Sequence, residues 1–202
     1  MQRIEAVRAL ASLVTPEDLF TLTIGAVQDD WWNYRPGGVY NTFSPGALGS
    51  ITSVALGLAV ALPNRRIVAL DSDGSTLMNA GILCTLGNER PPNLTVIVFD
   101  NGMYESIGGP PTLTAFNADL ARMAEAAGCI NCISVGDVDS FSSEARRLLS
   151  DGEMGYLVAK IDPGEHVWPR EKRRVTNGVE DKYRFIRYVE ELEGIPIMQG
   201  PP

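Results

Sequence analysis

The stretch VALDSDGSTLMNAGILCTL, residues 68–86, decides how this chain reads. Val68, Ala69 and Leu70 continue an apolar run from Ile67, which predicts a buried strand. The strand ends on two acids one residue apart, Asp71 and Asp73. Gly74 and Ser75 follow, and residues 75–87 carry helical patterning. Acids at the mouth of a helix pose a conflict, because the free N–H groups there attract anions. A cation lying between the acids and an anion resolves it. The segment NLTVIVFDNG, residues 93–102, repeats the arrangement with an apolar strand that ends on Asp100 and Asn101. In a parallel α/β sheet, ligands bind beyond the C-terminal ends of the strands. A carboxylate, a carboxamide and phosphate oxygens suit octahedral Mg²⁺, and Gly74 lets a ligand approach the backbone. The two strand ends therefore predict a site for a magnesium-bound diphosphate. Either acid alone reads equally well as a turn or cap residue; both strand ends together favour the site. No G-x-G-x-x-G follows an early strand and no phosphate-loop lysine is present, so neither of those nucleotide motifs applies.

Outward from these strands, residues 2–13 have the spacing of an amphipathic helix, with Ile4, Val7, Leu10 and Ala11 on one face. Thr15 and Pro16 predict an N-cap and a first helical position before a β-rich run from Leu19 to Ile24. Residues 26–50 hold Trp31, Trp32, three further aromatics and glycine turns, and predict a long polar loop whose tryptophans line a pocket for a larger side chain or, the preferred reading, anchor an interface. A helix is predicted over 51–62, another after the segment that begins at Pro111, and another over 139–152. Short strands are predicted in NCISVG (131–136) and MGYLVAKID (154–162). Continuously apolar strands separated by helices predict a doubly wound α/β fold, a mostly parallel sheet flanked by helices. Residues 1–202 read as a single diphosphate-binding domain. Within it, 164–202 forms a charged loop and a peripheral C-terminal helix and tail, with helical spacing at Tyr183, Phe185, Ile186, Val189 and Leu192.

The net charge of −8 argues against a general nucleic-acid or anionic-membrane binder, since such surfaces concentrate Lys and Arg. No apolar run reaches the length of a membrane span, and the first residues carry no signal-peptide core, so a cytoplasmic protein is expected. Of three cysteines, Cys84 falls in an apolar helical stretch and reads as core. Cys129 and Cys132 form a C-x-x-C open to redox or metal use, but no second pair exists and His166 is the only histidine. Buried thiols are the simpler reading.

Together, DSDGSTLMNAG (71–81) and FDNGMYESIGG (99–109) resemble the cofactor motif of thiamine diphosphate-dependent enzymes, normally Gly-Asp-Gly followed by Asn. SPGALGSITSVALGLAVALP (44–63) resembles the segment that cradles the pyrimidine in that family. The likeness spans about residues 40 to 112 and is nearest to the β subunits of sulfopyruvate decarboxylases and to the phosphonopyruvate decarboxylases. It implies that Asp73 and Asn101 bind Mg²⁺ through side-chain oxygens and Met103 through its carbonyl, beside Tyr104. Gly74 and Ser75 would contact the diphosphate. Gly46 would offer its carbonyl to the aminopyrimidine, with Ala47 beside it, and Leu48 would be the apolar wedge that keeps the cofactor bent. Ser72 stands where the family usually has glycine, and Pro110 in GGPPT replaces the glutamine of GGQPT.

Enzymes of this family need a glutamate against the pyrimidine, carried on a separate domain for which this chain has no room. The resemblance therefore implies a pyrimidine-domain alpha subunit, in an alpha2beta2 or larger hetero-oligomer, that supplies the glutamate. The substrate implied is a small 2-oxo acid that is decarboxylated. An anionic substrate such as a sulfonate or phosphonate wants a cation, and Arg35, Glu105 and His166 are the candidates for substrate or partner contact. Carboligation, an oxidoreductase half, and a non-catalytic cofactor-binding or assembly subunit remain as alternatives.

Overall fold

The computed structural model describes residues 1–35, 39–164, 168–173 and 177–198. Its centre is a six-stranded, all-parallel sheet in the order β2-β1-β3-β4-β6-β5. The strands are β1 (Leu19–Leu22), β2 (Thr42–Phe43), β3 (Ile67–Ser72), β4 (Leu94–Asp100), β5 (Cys132–Val135) and β6 (Gly155–Lys160). The helices are α1 (Arg3–Ala11), α2 (Ala26–Tyr34), α3 (Ile51–Ala61), α4 (Asp73–Met78), α5 (Ile82–Glu89), α6 (Leu120–Ala126), α7 (Val138–Ser150) and α8 (Gly178–Glu193).

Both faces of the central strands are apolar because helices cover both. Ile67, Ala69, Val96, Val98, Tyr156 and Val158 face α3, α5, α6 and α8. Their strand neighbours Val68, Leu70, Ile97, Phe99, Leu157 and Ala159 face α1, α2 and α7. From β1 the chain first steps outward to β2 and then turns back to lay β3 on the opposite side, so the order reverses between β1 and β3. That reversal opens a crevice at the carboxyl ends of the strands.

Several local expectations are corrected. Residues 15–18 form a turn, not a helix start: the Thr15 N–H donates to Asp18 Oδ2 at 2.6 Å. Residues 26–34 are a helix, not a loop, and Trp31 is a core residue, not an interface anchor. It is fully buried, its ring lies 4.6 Å from that of Phe20, and its Nε1–H donates to Thr42 Oγ1 at 3.2 Å. The helical pattern is masked because α2 buries Gln28 and Asp30 alongside Val27 and Trp31. The helix read over 75–87 is two, broken at Asn79, whose Nδ2 donates to Gly49 O at 2.9 Å and to Ser53 Oγ at 3.2 Å. Cys84 is exposed rather than core, while Cys129 is buried, with its thiol 3.6 Å from Leu83 O. The helix α8 lies against the edge strand β2, and Phe185 packs 5.8 Å from Phe43. Among the described residues, no helix is long and apolar enough to cross a membrane.

Candidate cofactor site

A cavity of about 390 Å³ opens at the carboxyl ends of β1, β3, β4 and β6. Its wall takes Gly25 and Ala26 after β1, Ser72 to Ser75 after β3, and Asn101, Met103 and Tyr104 after β4. Leu48 reaches it from the preceding turn. A second hollow of about 490 Å³ adjoins it through shared Ile24, Gly25, Asp29 and Arg173, and extends the wall to Gly46.

The four acidic or amide groups at the strand ends divide in two. Asp71 still belongs to β3 and turns inward: it is 1% exposed, accepts from Thr52 Oγ1 at 3.0 Å and from the Ser72 N–H at 2.9 Å. Burial pushes its pKa up, and these bonds with Ser75 pull it back. Asp100 forms an ion pair with Lys160 and accepts from Thr114 Oγ1 at 2.7 Å and the Gly102 N–H at 3.1 Å. Asp73 and Asn101 are the two that line the cavity. Asp73 is 2% exposed and has no cationic side chain within ion-pair distance among the described residues. Burial raises its pKa, the charge of Asp100 raises it further, and the Thr112 and Thr114 hydroxyls lower it.

The glycine and serine of the motif have local reasons. A Cβ on Gly74 would stand 2.2 Å from Cε1 of Tyr104, so the close approach needed there is to the tyrosine ring. Ser72 has φ −122°, ordinary extended backbone, and its Oγ caps α4 by accepting from the Ser75 N–H at 3.4 Å. A side chain at this position is therefore tolerated without strain. The Ser75 hydroxyl accepts from the Gly49 N–H at 2.9 Å, which ties the turn carrying Leu48 to α4. Gly46 and Gly49 both adopt positive φ, +72° and +80°, which shapes that turn around Ala47 and Leu48. Ala47 itself does not line the cavity.

The segment after β4 folds back as a narrow hairpin. Met103 bridges Pro111, the Tyr104 N–H donates to Pro110 O at 2.9 Å, and the Thr112 N–H donates to Gly102 O at 2.8 Å. Position 110 supplies only a carbonyl here, so proline serves where the family has glutamine.

Sequence reasoning missed three parts of this wall. Reading α2 as a loop hides the helix N-terminus at Gly25 (φ +96°), although Gly25, Ala26 and Val27 line the cavity and the first N–H groups of a helix have no partner within it. Thr112 and Thr114 approach Asp73 across 39 and 41 residues, a juxtaposition with no local signature. Arg3, Trp168 and Arg173 also line the cavity. Buried Asp30 accepts from Arg3 Nε and from Trp168 Nε1, each at 2.6 Å, and so holds both side chains in place.

Of the candidates for substrate or partner contact, Glu105 is on the wall and accepts from the Gly164 N–H at 2.8 Å. Arg35 is not: it donates to Val14 O at 3.1 Å and lies over Phe20 and Trp31, away from the cavity. His166 lies outside the described residues.

The donors that face the cavity fit a hard cation and a diphosphate. Asp73 is a buried carboxylate with no cationic side chain within ion-pair distance among the described residues, Asn101 adds a carboxamide, and the α2 N-terminus offers N–H groups. Among the described residues, no group of three or more His, Cys, Asp or Glu could hold a metal.

Residues 23–158 match the family model described as the thiamine pyrophosphate enzyme C-terminal TPP binding domain. The sulfopyruvate decarboxylase subunit beta of Methanocaldococcus jannaschii is 28% identical over 162 residues, covering 80% of this chain and 85% of that protein. Its counterpart in Methanothermobacter thermautotrophicus is 32% identical over 164 residues, 81% of this chain and 84% of that protein. The phosphonopyruvate decarboxylase of Streptomyces viridochromogenes is 41% identical over 120 residues, 59% of this chain but 30% of its own length. The chain thus spans most of the subunit beta relatives and under a third of that longer one. A solved thiamine diphosphate-dependent 4-hydroxybenzoylformate decarboxylase from Rhodococcus jostii superposes with a TM-score of 0.65 at 18% identity, over 82% of this chain and 33% of that one. This likeness concerns the fold.

Proposed function

The chain belongs to the thiamine pyrophosphate enzyme C-terminal binding-domain family, and on that premise we propose that it is the beta subunit of a heteromeric thiamine diphosphate-dependent 2-oxo acid decarboxylase. The observation that carries this reading is one shared wall: Asp73, Asn101 and the N-terminus of α2 face a single cavity at the carboxyl ends of the strands. Asp73 and Asn101 hold Mg²⁺ through side-chain oxygens and Met103 through its carbonyl. The α2 N–H groups and the backbone at Gly74 and Ser75 take the diphosphate. Leu48 supplies an apolar surface at the cavity, which costs little to desolvate and excludes water from the reacting centre. When bound, thiamine diphosphate supplies the electron sink that lets a 2-oxo acid lose CO₂.

The pyrimidine-activating glutamate comes from a partner alpha subunit. The subunit naming of the relatives supports this. An acidic 2-oxo acid, sulfonate or phosphonate, is favoured by the relatives' names and by Arg173 on the wall. Arg35 has no part in that role.

Asp73→Ala in the purified complex is the test. Loss of retained thiamine diphosphate and of decarboxylation together is expected. Retention of turnover, with the complex intact, refutes the site and favours a non-catalytic assembly subunit. Product analysis with an added aldehyde separates decarboxylation from carboligation.

A further inference from the structure

From Asp73 on the cavity wall, five side chains form a connected polar network that runs behind it through Thr112, Thr114 and Asp100 to Lys160. Thr112 Oγ1 lies 2.6 Å from Asp73 Oδ2, and Thr114 Oγ1 lies 3.1 Å from the same oxygen. The two hydroxyl oxygens are 2.8 Å apart. Thr114 Oγ1 is also 2.7 Å from Asp100 Oδ1, and the other oxygen of Asp100 pairs with Lys160. Each hydroxyl carries one proton. Thr112 donates its proton to Asp73, and Thr114 shares its proton between Asp100 Oδ1, the nearer acceptor, and Asp73 Oδ2.

We propose that Thr112 and Thr114 are positioning residues for the cation-binding carboxylate of Asp73, anchored on the Asp100–Lys160 pair. The inference rests on the reading of Asp73 as a metal ligand and adds to it what holds that ligand in place. Both hydroxyls meet the same oxygen, Oδ2, so they fix the rotation of the carboxylate plane. The geometry is backed by main chain: the Thr112 N–H is bonded to Gly102 O, and Gly102 follows directly on the strand-end pair Asp100 and Asn101. A shift of the hairpin would therefore move the threonines and the Asn101 ligand together. Thr112 is 1% exposed and buried among polar groups, a position where a hydroxyl is retained only if it is used. Asp100, with Lys160 neutralising it, does not compete for the cation but orients Thr114. The acid that sits one residue before the Asn ligand is thus an anchor and not a ligand.

The test titrates Mn²⁺, read by loss of its free EPR signal, in the presence of thiamine diphosphate on the full chain purified with its partner. Thr112→Val is expected to weaken Mn²⁺ about tenfold, the lower end of the effect of partners that orient ligands. Thr112→Ser, which restores the hydroxyl, is expected to stay within about twofold of wild type. A merely structural methyl role predicts the reverse ranking and overturns the proposal. Should Thr112→Val fail to fold, Thr114→Val gives a second reading: about a threefold loss is expected, and an affinity equal to wild type overturns the anchor. Asp73→Ala keeps the two levels apart. If it abolishes Mn²⁺ binding while Thr112→Val has no effect, only this proposal falls. If Asp73→Ala leaves the affinity unchanged, the site reading falls first and the proposal with it.

Discussion

Replacing Gly74 by alanine tests the packing of the site without altering a charge. The added Cβ would stand 2.2 Å from Cε1, 2.7 Å from Cδ1 and 3.1 Å from Cζ of Tyr104. Carbon atoms in good contact sit about 3.5–4.0 Å apart, so the ring must move by more than 1 Å or leave its place. Gly74 lies within α4, where propensity alone favours alanine by about 1 kcal/mol. The sign of the effect therefore decides between clash and open space. Overpacking costs about 1–3 kcal/mol, which leaves a net loss of up to about 2 kcal/mol. For a chain of this length, that lowers the melting midpoint by up to about 8 °C. Thermal unfolding of wild type, Gly74→Ala, Tyr104→Ala and the double variant closes a cycle. In the Tyr104→Ala background the ring is gone, and Gly74→Ala should become neutral or stabilising. A coupling of about 2 kcal/mol is expected between the two positions. A Gly74→Ala protein as stable as wild type, with no coupling to position 104, refutes the claim that the glycine exists to admit the tyrosine ring.

Two further perturbations check the fold around the cavity. Trp31→Ala should cost about 3–5 kcal/mol in denaturant unfolding, because it empties a fully buried site against Phe20. A variant that keeps its stability but loses its partner would restore the interface reading of this tryptophan. Asp137 caps α7 by accepting from the Ser140 N–H at 2.9 Å, and that bond holds its pKa below the ordinary carboxylate value. Its charge therefore contributes stability that is present above the unfolded carboxylate pKa and lost as the pH falls through the lower native value. Asp137→Asn keeps the capping oxygen, so wild type should melt higher at neutral pH and the two should converge in acid. Parallel melting curves at every pH would contradict this.

The fold was legible where burial is carried by long apolar runs. Strands β3, β4 and β6 are covered on both faces, so nearly every residue is apolar, and no interpretation of periodicity is needed to find them. The helix α2 was illegible for the opposite reason. It turns Gln28 and Asp30 inward, Asp30 to bond Arg3 and Trp168, so its buried face is half polar. Reading it as a loop then hid the N-terminus at Gly25, and with it one wall of the cavity. In the sequence Arg35 offers only its charge; its place at the end of α2, over Phe20 and Trp31, follows once that helix is known.

The pair of acids that first marked the site is resolved by the pleat and the helix together. Asp71 is the fifth residue of β3 and points into the protein, where Thr52 and the Ser72 N–H hold it. Asp73 is the first residue of α4, past the point where the strand alternation ends, and it turns to the cavity. The same division recurs on β4: Asp100, the last strand residue, is spent on Lys160 and Thr114, while Asn101 faces the cavity. In both cases the residue inside the strand is consumed by the protein and the residue just beyond it is offered to a ligand. The sequence shows four acidic or amide side chains at two strand ends, and only the position of each relative to the last ladder residue separates those held inside the protein from those that face the cavity. That offset also explains why these two strand ends present one carboxylate and one carboxamide, rather than three carboxylates, to the cavity.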